Sequence, residues 1–370
     1  MESCLIPIIT LSQFADRINK NLEDVRIPLS GSIEVTARCN LRCKHCYINL
    51  PAADERAKTK ELTYKEFCDI FDQITNEGCL WLLLTGGEPF IRPDFLDIYT
   101  YAKKKGMLIT LFTNGTLLTP YIADFLSDWR PQSIEITLYG LTQKTYEKVT
   151  DIDGSHKRCM YGVELLLDRK LPLKLKTMVM TINKHEIWEI KRFAENLGVD
   201  FRFDPVLNLR INGDKSPSDF RISPQEIVAL DLADTNRMRE LSEFCEKFLN
   251  TPDNLEYIYQ CGAGRKTFHI DPYGQLSPCI MSRIPSYDLC SGYFRDGWYN
   301  FMPSILSWKW VRNTHCKSCE LISLCGQCPG WALIENGDPE SRVDYLCQIA
   351  RLRADVFKYI YIRSKRNYDK

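Results

Sequence analysis

The sequence predicts an α/β fold: an open, partial (β/α)6 barrel, two units short of a closed eightfold TIM-like barrel, followed by a small cysteine-rich domain. Three observations carry this. From about residue 31, short β-branched and aliphatic runs alternate with helical patterns, as in strand-helix units built on parallel strands. Six such runs occur before the pattern weakens. Cysteines then gather in the C-terminal third. With 370 residues, 44% of them hydrophobic, the chain is long enough for one large domain and a smaller one.

The expected strands are Ser32–Thr36, Leu80–Leu84, Met107–Phe112, Ser133–Leu138, Lys174–Thr181 and Asp200–Val206. The helix before the second strand has the clearest signature. Thr63 and Glu66 match a capping box, Phe67, Ile70, Phe71 and Ile74 recur at helical spacing, and Gly78 ends the run. Pro93 and Pro120 stand where first-turn prolines start the helices after the second and third strands. In such folds the chemistry lies at the C-terminal ends of the strands. The chain is expected to divide into an N-terminal extension (1–30), the barrel (31–210), a bridging segment of polar turns and helical stretches (211–258), the cysteine-rich domain (259–350) and a tail (351–370).

Lys+Arg and Asp+Glu balance at 48 each, so net charge recommends neither a nucleic-acid nor an anionic-membrane partner. Residues 1–18 lack the basic start and cleavage site of a signal peptide, and the apolar run Leu80–Leu84 is too short to span a bilayer. A cytoplasmic location is expected. In a long chain of a reducing compartment, clustered thiols are metal or redox ligands more often than disulfides. Of 16 cysteines, Cys4, Cys68, Cys79 and Cys159 are scattered and read as small core or surface residues.

Cys39, Cys43 and Cys46 follow the first strand directly, so three thiolates converge in a loop at its C-terminal end. Three soft ligands suit an iron-sulfur cluster and leave one iron of a four-iron cubane without a protein ligand. A structural zinc would need a fourth ligand, and His45 is too close to Cys46 in sequence to share the ion comfortably. The run Cys39-x3-Cys43-x2-Cys46, in the loop after the first strand of a six-unit partial barrel, resembles the radical S-adenosylmethionine (SAM) enzymes. That resemblance implies that the open iron binds the amino and carboxylate groups of SAM, and that Tyr47 packs beside the adenine. Gly86, Gly87, Glu88 and Pro89 after the second strand support it. Glycines there allow close backbone approach, the carboxylate offers an acceptor, and by resemblance the turn cradles the SAM amino group. Asn114 and Thr137 close the third and fourth strands, where polar side chains can hydrogen-bond SAM or simply make turns.

The second group runs Cys261, Gly274-x4-Cys279, then Cys316-x2-Cys319-x5-Cys325-x2-Cys328, and finally Cys347. Paired Cys-x2-Cys is also zinc-ribbon spacing. Behind the first motif, however, the order resembles the SPASM domain of radical SAM enzymes, apart from the last gap, x2 here and commonly x3 there. The resemblance implies one auxiliary 4Fe-4S cluster on Cys316, Cys319, Cys325 and Cys347. It implies a second on Cys261, Cys279 and Cys328, whose fourth position is an open or substrate-ligated iron, or Cys245, or Cys290.

The implied cofactors are therefore SAM, its 4Fe-4S cluster and two auxiliary 4Fe-4S clusters. The implied substrate is a ribosomally made peptide or protein, oxidised or cross-linked, and the implied electron donor is a flavodoxin or ferredoxin. The stretch before Ser32 is too short for a dedicated peptide-recognition domain, so a leader peptide would need a separate leader-binding protein or the enzyme's own surface. The same signatures suit a peptide epimerase with Cys159, Cys245 or Cys290 as hydrogen donor, or modification of a porphyrin precursor or sugar. A zinc-binding scaffold without catalysis stands furthest off. No catalytic acid, base or relay is identified: Asp204, Arg202, Arg210 and Tyr139 face the expected mouth, with salt bridges or packing as their simpler reading.

Overall fold

The computed structural model describes residues 11–22, 25–48, 50–248, 256–322 and 324–368. Strands β1 (Ser30–Glu34), β2 (Trp81–Thr85), β3 (Leu108–Thr113), β4 (Ser133–Thr137), β5 (Leu173–Met178) and β6 (Asp200–Asp204) pair in chain order, all parallel. Each expected strand is present. The fifth stops at Met178 rather than Thr181 because Asn183 takes the Met180 N–H (2.8 Å) and donates to the Met178 carbonyl (3.0 Å), turning the chain out of the ladder.

The sheet does not end at β1. β7 (Thr267–Ile270) pairs with β1 in parallel, and β8 (Gln275–Ser277) and β9 (Tyr287–Asp288) continue antiparallel. Among the described residues this gives nine strands in the order β9-β8-β7-β1-β2-β3-β4-β5-β6. Gly31 makes the join possible: a Cβ there would stand 2.2 Å from the Phe268 ring, which packs edge-on against Phe294 at 4.9 Å. Phe268, Phe294 and the fully buried Trp298 belong to the same apolar core as the barrel.

Helix α1 (Leu11–Asn21) precedes β1; α2 (Tyr64–Asn76), α3 (Phe95–Lys104), α4 (Pro120–Asp128), α5 (Gln143–Thr150), α6 (Ser155–Asp168) and α7 (Ile187–Asn196) link the barrel strands. The Thr63/Glu66 capping box forms, and Pro120 opens α4 behind Thr119. Pro93 does not open α3. Glu88 caps a short 3-10 turn, Pro89–Ile91, and α3 begins two residues after Pro93, with Asp94 between.

Side chains alternate across the strands. Ile33, Leu82, Leu84, Ile109, Leu111, Ile134, Ile136 and Leu175 point outward and are buried with the apolar faces of α2 and α3. Their neighbours Ser32, Glu34, Thr110, Phe112, Glu135, Thr137, Lys176 and Arg202 line the other face. A packed barrel interior would be apolar. This inner face is mixed, with hydroxyl and charged side chains beside Leu83, Phe112 and Met178.

The longer helices after β6 are α8 (Pro224–Ala233), α9 (Thr235–Phe248), α10 (Pro329–Asn336) and α11 (Asp344–Tyr368). The fully buried carboxylate of Asp231 on α8 receives Arg237 of α9 at 2.6 Å and Arg353 of α11 at 2.8 Å, pinning three helices together. Asp231→Ala leaves two cations without their partner and is expected to cost roughly 3 kcal/mol, read as a lower urea midpoint.

Candidate active site

Four strand ends assemble the mouth of the barrel. The segment after β1 runs against the turn after β2: the Gly87 N–H donates to the Thr36 carbonyl (2.8 Å) and the Glu88 N–H to the Arg38 carbonyl (2.9 Å). The contact requires glycine. A Cβ on Gly87 would lie 2.0 Å from the Arg38 carbonyl oxygen, and one on Gly86, whose φ is +138°, 2.2 Å from that of Thr36. Beneath it, Glu61 takes Arg38 at 2.9 and 3.0 Å and Arg92 at 3.4 Å, while Arg92 also pairs with Asp94 at 2.8 Å. All of Arg38, Glu61 and Arg92 are buried at the side chain.

Glu88 is fully buried, and its oxygens accept from the Thr113 hydroxyl (2.8 and 3.0 Å), the Asn114 N–H (2.7 Å) and the Phe90 N–H (3.2 Å). Burial pushes its carboxyl up to about 7, against the pull of these donors. The carboxylate thus links the β2 turn to the end of β3. Asn114 continues the link: its amide donates to Asn40 (2.9 Å) and to the Cys39 sulfur (3.6 Å), and its oxygen accepts from Thr116. Thr137 is half-buried on the inner face at the end of β4. Tyr47 donates to Glu34 at 2.8 Å.

The three thiols share this mouth. Burial pushes Cys39 up to about 12, with Glu88 and Cys46 adding to it, and Cys43 rises by burial and then by Cys46 and Cys39. Cys43 is buried and Cys39 and Cys46 are half-buried, and thiols that burial raises as it does Cys39 and Cys43 give up their protons to a positive centre, which suits a donor set for a metal cluster. The Leu41 N–H already points at the Cys39 sulfur at 3.4 Å. Tyr139, buried behind them, hydrogen-bonds the Cys43 thiol and stands edge-on to His45 at 5.0 Å. His45 is held neutral, at about 4, by burial and by Arg210.

The C-terminal thiols fall into two sets that feel one another's charge. Cys316 and Cys325 sense Cys347 and Cys319, whereas Cys279 and Cys328 sense Cys261. Backbone N–H groups point at the sulfurs of Cys279, Cys325 and Cys328, an arrangement that suits cluster thiolates. Cys245 lies elsewhere, among Leu324, Ala354 and Phe357, and Cys290 is exposed beside Tyr273. Cys159 is fully buried against Tyr146.

The sequence reading missed Glu61, Arg92, Glu34, His269 and Arg283. Apart from Asp94, which lies two residues from Arg92, their ion-pair partners are remote in sequence, and only the position of Glu34 beside the cysteine loop could have marked it. On the inner face Glu135 takes Arg202 at 2.7 Å and Lys176 at 3.3 Å. Arg210 pairs with Asp214 at 2.9 Å, and Asp204 accepts the Val206 N–H.

Two predictions follow from these contacts. Gly87→Ala forces the β1 and β2 segments apart and is expected to destabilise the chain by at least about 2 kcal/mol, checked by denaturation. Burial and Arg202 lower Lys176 to about 7 despite Glu135. The unfolded chain then holds this proton up to about 10.5, so the penalty is full below pH 7 and fades as pH rises. Lys176→Met is therefore expected to stabilise by about 1 kcal/mol at pH 6.5 and to lose that advantage by pH 10, in paired urea titrations.

The radical SAM superfamily profile matches residues 33–194. The chain is 26% identical over 330 residues to an AdoMet-dependent heme synthase of Methanosarcina barkeri, covering 82% of this chain and 92% of that protein. It is 25% identical over 355 residues to a PqqA peptide cyclase of Bradyrhizobium diazoefficiens, covering 91% and 90%. The fold superposes on Streptococcus suis SuiB bound to its precursor peptide SuiA with a TM-score of 0.71 at 18% identity, over 94% of this chain and 85% of that one. Among the described residues no helix is long and apolar enough to cross a membrane. With the cysteine loop and the glycine turn at adjoining strand ends of a partial barrel, residues 33–194 form a radical SAM domain.

Proposed function

We propose that this enzyme modifies a ribosomally made peptide or protein, by oxidation or by cross-link formation, in the cytoplasm. Cys39, Cys43 and Cys46 would hold the SAM-binding 4Fe-4S cluster, with Tyr47, Gly86, Gly87, Glu88, Pro89, Asn114 and Thr137 around SAM. When bound, that cluster supplies one electron to the sulfonium, yielding methionine and a 5'-deoxyadenosyl radical. The chain's own work is placement: the Gly87 contact fixes the cysteine loop, Asn114 orients Cys39, and burial of Cys43 keeps water away from that thiol.

Residues 31–210 are assigned to the catalytic barrel and 259–350 to a SPASM domain, with 1–30, 211–258 and 351–370 as extension, bridge and tail. Cys316, Cys319, Cys325 and Cys347 would hold one auxiliary cluster, and Cys261, Cys279 and Cys328 another. Neither Cys245 nor Cys290 is grouped with the second set, which favours an iron open to substrate. Such centres suit a net oxidation, since they can accept the electron that the substrate radical sheds. A flavodoxin or ferredoxin would supply the first electron, and a separate leader-binding protein could present the peptide.

The observation that carries the peptide reading is likeness over nine-tenths of the chain to a peptide cyclase, and in fold to an enzyme solved with its precursor peptide. The heme synthase likeness supports a second reading, a porphyrin precursor as substrate. Anaerobic turnover decides between them. Peptides encoded beside the gene are expected to lose two hydrogens per modification, with 5'-deoxyadenosine formed in step. Turnover of a porphyrin precursor instead, with peptides ignored, would replace this reading. Changing Cys39, Cys43 and Cys46 to alanine is expected to cut 5'-deoxyadenosine release by roughly a hundredfold or more.

A further inference from the structure

Glu34, the last residue of β1, is wholly buried. An ionised carboxylate in that position must be compensated. Tyr47, next to Cys46 in sequence, donates its hydroxyl at 2.8 Å. Arg283, four residues beyond Cys279, lays two guanidinium nitrogens on the two oxygens at 2.6 and 2.9 Å. Its Nε donates to the Ile280 carbonyl at 2.9 Å, so the same side chain grips the backbone beside Cys279. The guanidinium carbon also stands 5.8 Å from the centre of the Tyr47 ring. One carboxylate therefore joins the end of the first cysteine loop to the Cys279 loop, whose sequences lie more than 200 residues apart.

We propose that Arg283 is a positioning residue for SAM binding: anchored on Glu34, it sets the Tyr47 ring against the Cys279 loop, so that the C-terminal domain builds part of the SAM pocket. The geometry supports this over a generic ion pair. A forked guanidinium on two oxygens fixes direction as well as distance, and a third donor on the loop backbone leaves it no free rotation. Tyr47 in turn has its hydroxyl committed, which leaves the ring as the part free to meet a ligand. The inference rests on the reading of Tyr47 as an adenine contact.

The test is equilibrium binding of SAM to the reconstituted full-length enzyme, with iron and labile sulfide measured on each sample. Arg283→Met is expected to weaken SAM binding roughly tenfold with iron content unchanged. Arg283→Lys keeps the charge but not the fork, and is expected to bind SAM at least about threefold more weakly than the parent. Should Arg283→Met strand the buried Glu34 and fail to fold, Arg283→Met with Glu34→Gln removes both charges and is expected to show the same loss. If Tyr47→Ala weakens SAM binding while the Arg283 variants bind like the parent, the inference is overturned and the reading of Tyr47 stands. If Tyr47→Ala itself binds like the parent, both are overturned. Loss of iron in parallel with SAM affinity would mark Arg283 as a structural brace and overturn the positioning role.

Discussion

The mouth of the barrel depends on one close approach of two backbones, the segment after β1 lying on the turn after β2. Two hydrogen bonds hold it, and neither Gly86 nor Gly87 has room for a side chain. Everything chemically useful follows from that contact. It sets where Cys39 leaves the strand, it aims the Glu88 carboxylate at the end of β3, and through Asn114 it returns to the Cys39 sulfur. The circuit closes on itself. A residue moved along it moves the Cys39 sulfur.

Most of the barrel was legible in the sequence because its signals are local. Strand alternation, the Thr63/Glu66 box and the glycine turn each lie within a few residues, and each appears in the structure. Pro93 misled because a proline in the first turn and a proline just ahead of the cap look alike in sequence, and Glu88 had already capped a turn before it. The join of β7 to β1 was invisible for a different reason. A four-residue strand has almost no periodicity, and what selects its partner is the gap that Gly31 leaves for Phe268. Of the site, the cysteines and the turn could be read directly. The Arg38–Glu61–Arg92 and Tyr47–Glu34–Arg283 networks could not, since buried ion pairs have no sequence spacing.

The inner face gives the barrel its electrostatic character. Glu135 sits between Lys176 and Arg202, and Glu34 between Tyr47 and Arg283, so carboxylates on opposite sides are each compensated. His269, on the strand beside Glu34, is buried and neutral, with Nδ1 on Ser32 at 2.9 Å. Glu34 meets one arginine, Arg283, whereas Glu135 meets two basic side chains, Lys176 and Arg202.

The shared sheet also bears on how the two parts of the molecule can move. Because β7 is laddered to β1, the Cys279 loop, which leaves the end of β8, and the strand that carries the first cysteine loop belong to one continuous hydrogen-bonded sheet. Hinge motion between them would tear that ladder, so the separation of these two loops is a fixed property of the backbone.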